Sequence, residues 1–255
     1  MPRARLLVLV GVALATAGIC IRLGLWQLER LGERRAANGR TAARLDVDPV
    51  ELGSITIDSG AGWRRVRLRG TYDFDREFVL PNRSRDGAPG VNLLTPLRVP
   101  GLDSAVLVNR GWIYAPDGAS VDRVRWREGP EGSGIGYVLW PTPGPPVSAA
   151  LSPVDSTRRL SRVDAARIAA SIPYPVASYH VVLLADPAAP GEGATPVRLE
   201  APPLDEGPHK SYAIQWFSFA AVVVIGTSAL IRADQRRDGG GRVGGGGRAG
   251  GPERP

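Results

Sequence analysis

The stretch SYAIQWFSFAAVVVIGTSALI, residues 211–231, decides the fold class because it contains no charged residue. As an α-helix it would be about 30 Å long, which matches the hydrocarbon core of a bilayer. It is followed by Arg232, Arg236 and Arg237. The run is too long for an ordinary buried core helix, so the sequence predicts a transmembrane helix.

A second apolar segment lies near the start of the chain, from Leu6 to Gln27, and its only charged residue is Arg22. This segment also approaches the roughly 20 residues that a membrane-spanning helix requires. A cleaved signal peptide is the alternative, since Ala15-Thr16-Ala17 resembles a cleavage site. The apolar run continues past that site to Leu25, which favours a retained anchor.

The flanking charges predict the orientation of the two helices. Arginines follow the second segment, and positive charge is retained in the cytoplasm, so the C-terminus is expected inside. Arg30, Arg34 and Arg35 argue mildly against this orientation, but long translocated loops tolerate such charge. The predicted parts are a cytoplasmic N-terminus (1–5), transmembrane helix 1 (6–27), an extracytoplasmic domain (28–208), transmembrane helix 2 (209–231) and a disordered cytoplasmic Gly/Arg tail (232–255).

The predicted extracytoplasmic domain reads as β-rich. Residues 63–83 alternate between apolar and polar side chains, with Gly70 as an expected break. Further strands are expected at Val91–Val99, Ala105–Tyr114, Gly136–Trp140, 178–186 and 196–200, and a short helix at Ser161–Ser171 with Ser161 as its N-cap. Short strands with long turns predict an antiparallel sheet or partial barrel, and hence an α+β membrane protein with two flanking helices.

Composition excludes several kinds of site. The net charge is +7, but the arginines are spread along strands and flanks, so nucleic acid is not an expected partner, whereas membrane lipid is. The single cysteine, Cys20, lies inside the first apolar segment. An intramolecular disulfide and a Cys-based metal site are therefore excluded.

No pattern of residues specifies an enzyme. The chain has two histidines, His180 and His209, and neither belongs to a recognisable catalytic motif. Asp73 and Asp75 flank Phe74 in a strand candidate and are expected on a solvated face. His180, inside another strand candidate, is expected to be a packed or exposed sheet residue.

His209 is the more interesting histidine because it stands at one end of the second apolar segment. On a helix it would share a face with Tyr212, Ala213, Trp216 and Ala220. An imidazole beside small residues and a flat indole could accommodate a planar macrocycle, and histidine is a common axial ligand of haem iron. Alternatively, Tyr212 and Trp216 are membrane-interface aromatics and His209 is a surface residue.

The arginines near the same ends of the apolar segments, Arg22 and Arg30, leave a similar choice. Their guanidinium groups could pair with anionic groups such as haem propionates. They are equally ordinary as anchors at a membrane interface.

Four stretches together resemble the surfeit-locus family of cytochrome oxidase assembly proteins. They are LGLWQLERL at 23–31, RRVRLRGTYDFDREFVLPNR at 64–83, GVNLLTPL at 90–97 with VLVNRGWIYAPDG at 106–118, and PHKSYAIQWFSFA at 208–220. Their order and their position beside the two apolar segments also match. The chain departs from the family pattern at Lys210, where an apolar residue is usual, and residues 119–160 do not align.

The resemblance implies two membrane spans, an outer β-rich domain and a location in the cell inner membrane. It also implies a chaperone-like assembly factor that presents or retains haem a for the catalytic subunit of a haem–copper respiratory oxidase. The family's candidate haem ligand falls on His209, the one expected metal ligand, with Trp216 as the neighbouring aromatic. The expected cofactor site is therefore His209, Tyr212 and Trp216, without catalysis.

Two other functions stay open at the level of sequence. In the first, the protein is a scaffold that holds the oxidase subunit without binding haem, and Trp26, Trp216 and the face of Ala213 and Ala220 are helix-packing surfaces. In the second, it is an unrelated membrane-anchored binding domain of the cell envelope.

Overall fold

The computed structural model describes residues 2–54, 56–141, 158–185 and 195–240, which form three α-helices and seven β-strands. The helices are α1 (Arg3–Asp46), α2 (Ala165–Ala169) and α3 (His209–Gly240). The strands are β1 (Val50–Glu51), β2 (Arg65–Tyr72), β3 (Phe78–Arg85), β4 (Ala88–Arg98), β5 (Ala105–Tyr114), β6 (Glu131–Leu139) and β7 (Val176–Leu183).

The chain divides into two compact units. The helix unit contains the described parts of Met1–Gly39 and Leu204–Pro255, and the barrel unit is Arg40–Pro203. The boundaries proposed from the sequence for the membrane and aqueous parts stay predictions. The Gly/Arg tail beyond residue 240 lies outside the described residues, while α3 itself continues to Gly240.

The barrel unit is a mixed sheet in the order β1-β2-β6-β7-β5-β4-β3. The sheet closes because the end of β2 also pairs with β4, at Thr71 with Arg98 and Tyr72 with Leu97. This confirms the predicted β-rich sheet and barrel. Most neighbouring strands are antiparallel, but β5 and β7 pair in parallel, as do β1 and β2.

The burial pattern of each strand follows from its place in this closed sheet. Strand β2 alternates, with Val66 and Leu68 buried and Arg67 and Arg69 exposed. Strands β4 and β5 are buried almost throughout, because apolar clusters cover both of their faces. The barrel interior is filled by Val66, Leu68, Tyr72, Leu97, Val99, Val106, Val108, Val138, Val181 and Leu183, with Leu52 beside them.

Three local predictions need correction. Gly70 does not break β2, which continues to Tyr72. A glycine is needed at position 70 because the carbonyl of Arg98 in β4 occupies the space that a side chain would need. Residues 196–200 form only isolated bridges, in which Val197 faces Trp112 and Leu199 faces Leu184. The short helix begins later than expected, with Asp164 rather than Ser161 as its N-cap; the carboxylate accepts the amide N–H of residue 167.

The helix unit is held together by a stripe of small residues on α1. The residues of α1 that are buried recur every three or four positions: Ala13, Ala17, Cys20, Gly24, Gln27 and Leu31. Ala17 and Cys20 pack against Ala220 of α3, with Trp216 at the edge of the cluster. Small side chains let two helix backbones approach closely, which is the usual way that membrane helices pair.

Outside that stripe, both long helices expose apolar side chains, including Leu7, Val12, Ile214, Val222 and Ile225. Each helix is long and apolar enough to cross a membrane. At 44 residues, α1 is about 66 Å long, roughly twice the thickness of a hydrocarbon core. Its second half, from Arg30 onward, is polar and continues beyond any membrane span.

Candidate functional site at the end of the helix pair

His209 is the first residue of α3, and it meets the side chain of Gln27 on α1. The imidazole Nδ1 lies 2.9 Å from the amide oxygen Oε1 of Gln27. Gln27 is only 9% exposed and His209 is partly buried. This contact joins residues that are 182 positions apart in the chain.

The segment before His209 is fastened to the polar part of α1. Arg35 forms two bonds to the carboxylate of Glu206, at 2.6 and 2.9 Å, and Asn38 donates its amide to the carbonyls of Leu204 and Asp205. The hydrogen bond from Arg35 lowers the pKa of Glu206, and it outweighs the opposing effect of desolvation. These contacts are exposed and individually weak, but together they fix where α3 begins.

The two aromatic residues predicted beside His209 occupy different surroundings. Trp216 is partly buried at the packing contact between α1 and α3, and its ring lies edge-on to Phe219 at 5.9 Å between centroids. Tyr212 is 47% exposed and is not part of that packing cluster. The structure therefore places Trp216 in the helix packing and leaves Tyr212 on the surface.

The surroundings of His209 are compatible with a ligand at its other ring nitrogen. Among the described residues, no hydrogen bond involves Nε2. Gly207 lies over that side of the ring, and a Cβ at its position would stand 3.8 Å from Nε2. With φ of +67° this glycine forms the turn into α3. A single histidine with one bonded and one open nitrogen has the donor set of an axial haem ligand.

The two arginines considered as partners of anionic groups differ. Arg30 is already paired with Glu33 at 2.7 Å, and its guanidinium lies over the Trp26 ring at 5.6 Å. Arg22 is exposed on α1. Neither is brought into contact with His209 in the described part of the chain.

The other histidine, His180, is a packed residue of β7, as the sequence predicts. It is 7% exposed and lies opposite Leu107 of β5. Its Nδ1 is buried without a hydrogen-bond partner. Burial lowers the pKa of His180 to about 4, because the apolar surroundings disfavour the charged imidazolium.

We expect this histidine to make the barrel less stable in acid. Unfolded His180 binds a proton below about pH 6.5, whereas the folded protein resists protonation until about pH 4. The free energy of unfolding should therefore fall by about 3 kcal/mol between those two pH values, because only the unfolded state gains the proton. Urea unfolding of the detergent-solubilised protein at pH 7, 6, 5 and 4 measures this.

His180→Leu is the matched control, since leucine cannot titrate. The other acidic groups contribute equally to both proteins, so the difference between the two pH profiles isolates His180. Identical slopes in the parent and in His180→Leu would contradict the assignment.

The barrel contains a buried ionic cluster that no sequence pattern predicts. Arg110 of β5 is 0% exposed and donates to Glu77 at 2.6 Å, to Thr95 at 2.8 Å and to Glu128 at 2.7 Å. Arg198 closes the cluster by donating to the other carboxylate oxygen of Glu128 and to the backbone carbonyl of residue 110. Two arginines and two glutamates balance in charge, as buried ions must.

Aromatic rings cover this cluster. The guanidinium of Arg110 lies 5.0 Å from the centre of the Phe74 ring and 5.7 Å from that of Tyr72. Burial, and then the negative charge of Glu128, raise the pKa of Tyr72 to about 12. The ionic cluster connects the loop after β5 and the 195–200 segment to the wall of the barrel. Its role is therefore structural.

Within the described residues, no group of three or more His, Cys, Asp or Glu side chains is arranged to hold a metal ion. Asp73 accepts hydrogen bonds from Arg76 at 3.0 Å and Tyr174 at 2.6 Å, and Asp75 pairs with Arg127 at 3.1 Å. The two carboxylates thus have separate partners and do not form a pair. His209 as a metal ligand stays a prediction from the sequence.

Comparison with known proteins agrees with the motifs in the sequence. A model of the SURF1 family matches residues 14–221. An uncharacterised SURF1-like protein of Mycobacterium bovis is 30% identical over 246 residues, which cover 92% of this chain and 88% of that protein. Surfeit locus protein 1 of Takifugu rubripes is 32% identical over 113 residues, 36% of this chain and 45% of its relative.

A fourth similarity is to the cytochrome oxidase assembly protein SHY1 of Saccharomyces cerevisiae, with 31% identity over 117 residues. That match covers 43% of this chain and 30% of the yeast protein, so the similarity to the two eukaryotic relatives spans less than half of their length. The family model and the mycobacterial relative, in contrast, extend from the first long helix into the last. This chain belongs to the SURF1 family.

Proposed function

We propose that this protein is an assembly factor for a haem–copper respiratory oxidase, anchored in the cell inner membrane by α1 and α3. Membership of the SURF1 family and similarity to a yeast cytochrome oxidase assembly protein support the oxidase role. Two helices with exposed apolar surfaces support the membrane anchors. The barrel unit then lies on the extracytoplasmic side, according to the arginines that follow the second span.

The finer proposal is that His209 presents or retains haem a for the oxidase catalytic subunit. The observation that supports it is the state of the imidazole: one nitrogen is bonded to Gln27, and the other has no partner among the described residues. His209 would hold haem a as its single protein ligand, and the haem would supply the iron centre that is passed to the oxidase. Transfer to the oxidase requires such moderate binding, because a fully ligated and buried haem would not be released readily.

The protein's own residues provide the setting for this exchange. His209 is the expected ligand, and exposed Tyr212 offers a flat apolar surface beside it. Trp216 contributes indirectly to the position of His209, because it packs α3 against α1 and thus fixes the start of α3. No proton transfer or covalent step is needed, so the proposal does not make the chain an enzyme.

We expect His209→Ala to reduce the haem a that copurifies with the protein by about tenfold or more, since a lost coordinate bond exceeds 1.4 kcal/mol. The protein is purified from cells that make haem a, and the visible absorption spectrum gives haem per protein. His180→Leu is the matched control, because it removes the chain's other imidazole from the barrel and should leave the haem content unchanged. A colourless parent protein, or equal haem in parent and His209→Ala, would contradict His209 as the ligand.

A scaffold without haem is the second candidate, and one observation favours it. Trp216, Ala213 and Ala220 are packed between α1 and α3, as expected if this face serves helix packing. Oxidase assembly that survives in cells expressing His209→Ala would support the scaffold. The third possibility, an envelope domain unrelated to oxidase assembly proteins, is wrong because the chain belongs to the SURF1 family.

A further inference from the structure

We propose that Gln27 is the positioning residue of His209: its amide oxygen accepts a hydrogen bond from Nδ1–H and thereby favours the neutral tautomer in which Nε2 has the free lone pair that can bind iron. The inference rests on the proposed function of His209 as a haem ligand. Gln27 itself has no part in that ligation and acts only through the imidazole.

The chemistry of the two side chains determines the direction of the bond. An amide oxygen can only accept, so the 2.9 Å contact between Nδ1 and Oε1 of Gln27 is a hydrogen bond in the tautomer that carries its proton on Nδ1. In a neutral imidazole one nitrogen is protonated and the other has a free lone pair. The contact therefore selects the tautomer in which Nε2 is the free base, which is the form that binds metal.

Gln27 is held in place by the packing around it. It belongs to the buried stripe of α1, between Gly24 and Leu31. Gly24 is in close contact with Phe217 of α3; even a Cβ there would lie 2.7 Å from that ring. Gln27 lies one turn further along α1 and is only 9% exposed.

Burial also explains why an amide at this position needs its partner. A side-chain amide that is removed from water without a hydrogen bond destabilises the folded protein. Every other buried member of the stripe is small or apolar: Ala13, Ala17, Cys20, Gly24 and Leu31. Gln27 is the polar exception, and His209 is the group that compensates it.

The backbone that carries the imidazole is also held in place. His209 begins α3, where the helix itself gives little restraint, but Arg35 and Asn38 fasten residues 204–206 just before it. The ring therefore has a fixed backbone and one fixed hydrogen-bond acceptor. Such an outer partner of a metal-binding histidine changes metal affinity by about 10–100-fold when it is removed.

The first test needs no haem. The full chain, labelled with ¹⁵N-histidine and placed in lipid nanodiscs at pH 8, gives ¹⁵N chemical shifts for both imidazoles, and His209→Ala identifies the signals of residue 209. We expect a protonated Nδ1 and an unprotonated Nε2. In Gln27→Met, which keeps the size but removes the acceptor, the protonated-Nδ1 form should lose its dominance; in Gln27→Glu, which keeps an acceptor, it should persist.

The second test is titration of the same three proteins with ferric protoporphyrin IX, followed by absorbance. We expect binding by Gln27→Met to be about 10–100-fold weaker than by the parent, with Gln27→Glu close to the parent. Unchanged thermal midpoints would show that the helix pair is intact. If Gln27→Met does not fold, the tautomer of the parent protein still tests the proposal.

Two results would overturn the inference: a protonated Nε2 in the parent, or a Gln27→Met protein with unchanged tautomer and unchanged affinity. Failure of the proposed function looks different. In that case His209→Ala binds the porphyrin as tightly as the parent, while the tautomer of residue 209 still responds to Gln27.

Discussion

Replacement of Arg110 by leucine is expected to lower the free energy of unfolding by about 3–5 kcal/mol. The guanidinium is fully buried and compensates two carboxylates, those of Glu77 and Glu128. Leucine would leave the carboxylate of Glu77, itself 1% exposed, without its cation in an apolar environment. Urea unfolding in detergent, followed by tryptophan fluorescence, measures the loss.

Two further variants separate the charge effect from simple loss of packing. Arg127→Leu removes an exposed arginine that pairs with Asp75, and it should change stability by less than about 1 kcal/mol. The double variant Glu77→Leu with Arg110→Leu should be more stable than Arg110→Leu alone, because it leaves no unpaired ion at that position. If the single and double variants are equally destabilised, the orphaned carboxylate is not the cause.

The sequence predicts most of the architecture from hydrophobic patterns. Two long apolar runs give α1 and α3, and alternation in residues 65–72 gives β2. The parallel pairing of β5 with β7 could not be predicted, because pairing partners are set by the closure of the whole sheet and not by either strand. The structural reason for Gly70 could not be predicted either. In the sequence a glycine at this position indicates a strand break, but in the structure it allows the close contact between β2 and β4.

The candidate site was predictable only in part. His209 stands out in the sequence because it is one of two histidines and begins the second apolar run. Gln27 lies in a recognisable motif, but no pattern shows that a residue 182 positions away lies opposite it. The signal that could have found it is a polar residue in the stripe of small residues that ends with Gly24 and Leu31.

The Asn-Arg-Gly-Trp stretch at 109–112 shows how a motif can be recognised before its physical basis is known. Asn109 accepts the amide N–H of Gly111 at 3.2 Å, and Arg110 is the centre of the buried ionic cluster. Trp112 donates its indole N–H to the carbonyl of Arg83 at 3.2 Å. The residues of this motif therefore act in the structure of the barrel, and none of them lies in the helix unit that contains His209.

Substitution of Gly111 is also expected to destabilise the barrel strongly. Its φ is +135°, a conformation that side chains rarely adopt, and the carbonyl of Val197 occupies the space in which a Cβ would stand. We expect Gly111→Ala to lower the free energy of unfolding by about 3–5 kcal/mol, as the sum of backbone strain and overpacking. Urea unfolding under the same conditions as for Arg110→Leu measures it.

Gly101→Ala is the matched control, because Gly101 also has a positive φ, +84°, but no atom lies within 4 Å of its added Cβ. That variant should show the strain alone, about 1–2 kcal/mol. The additional loss of stability in Gly111→Ala then measures the displacement of Val197. The backbone N–H and C=O of Val197 are both hydrogen-bonded to the backbone of Trp112, at 2.8 Å.

Arg198 follows Val197 directly and closes the ionic cluster on Glu128. The losses of stability in Gly111→Ala and Arg110→Leu should therefore be less than additive when the two substitutions are combined. Full additivity would mean that the 195–200 segment and the ionic cluster stabilise the barrel independently.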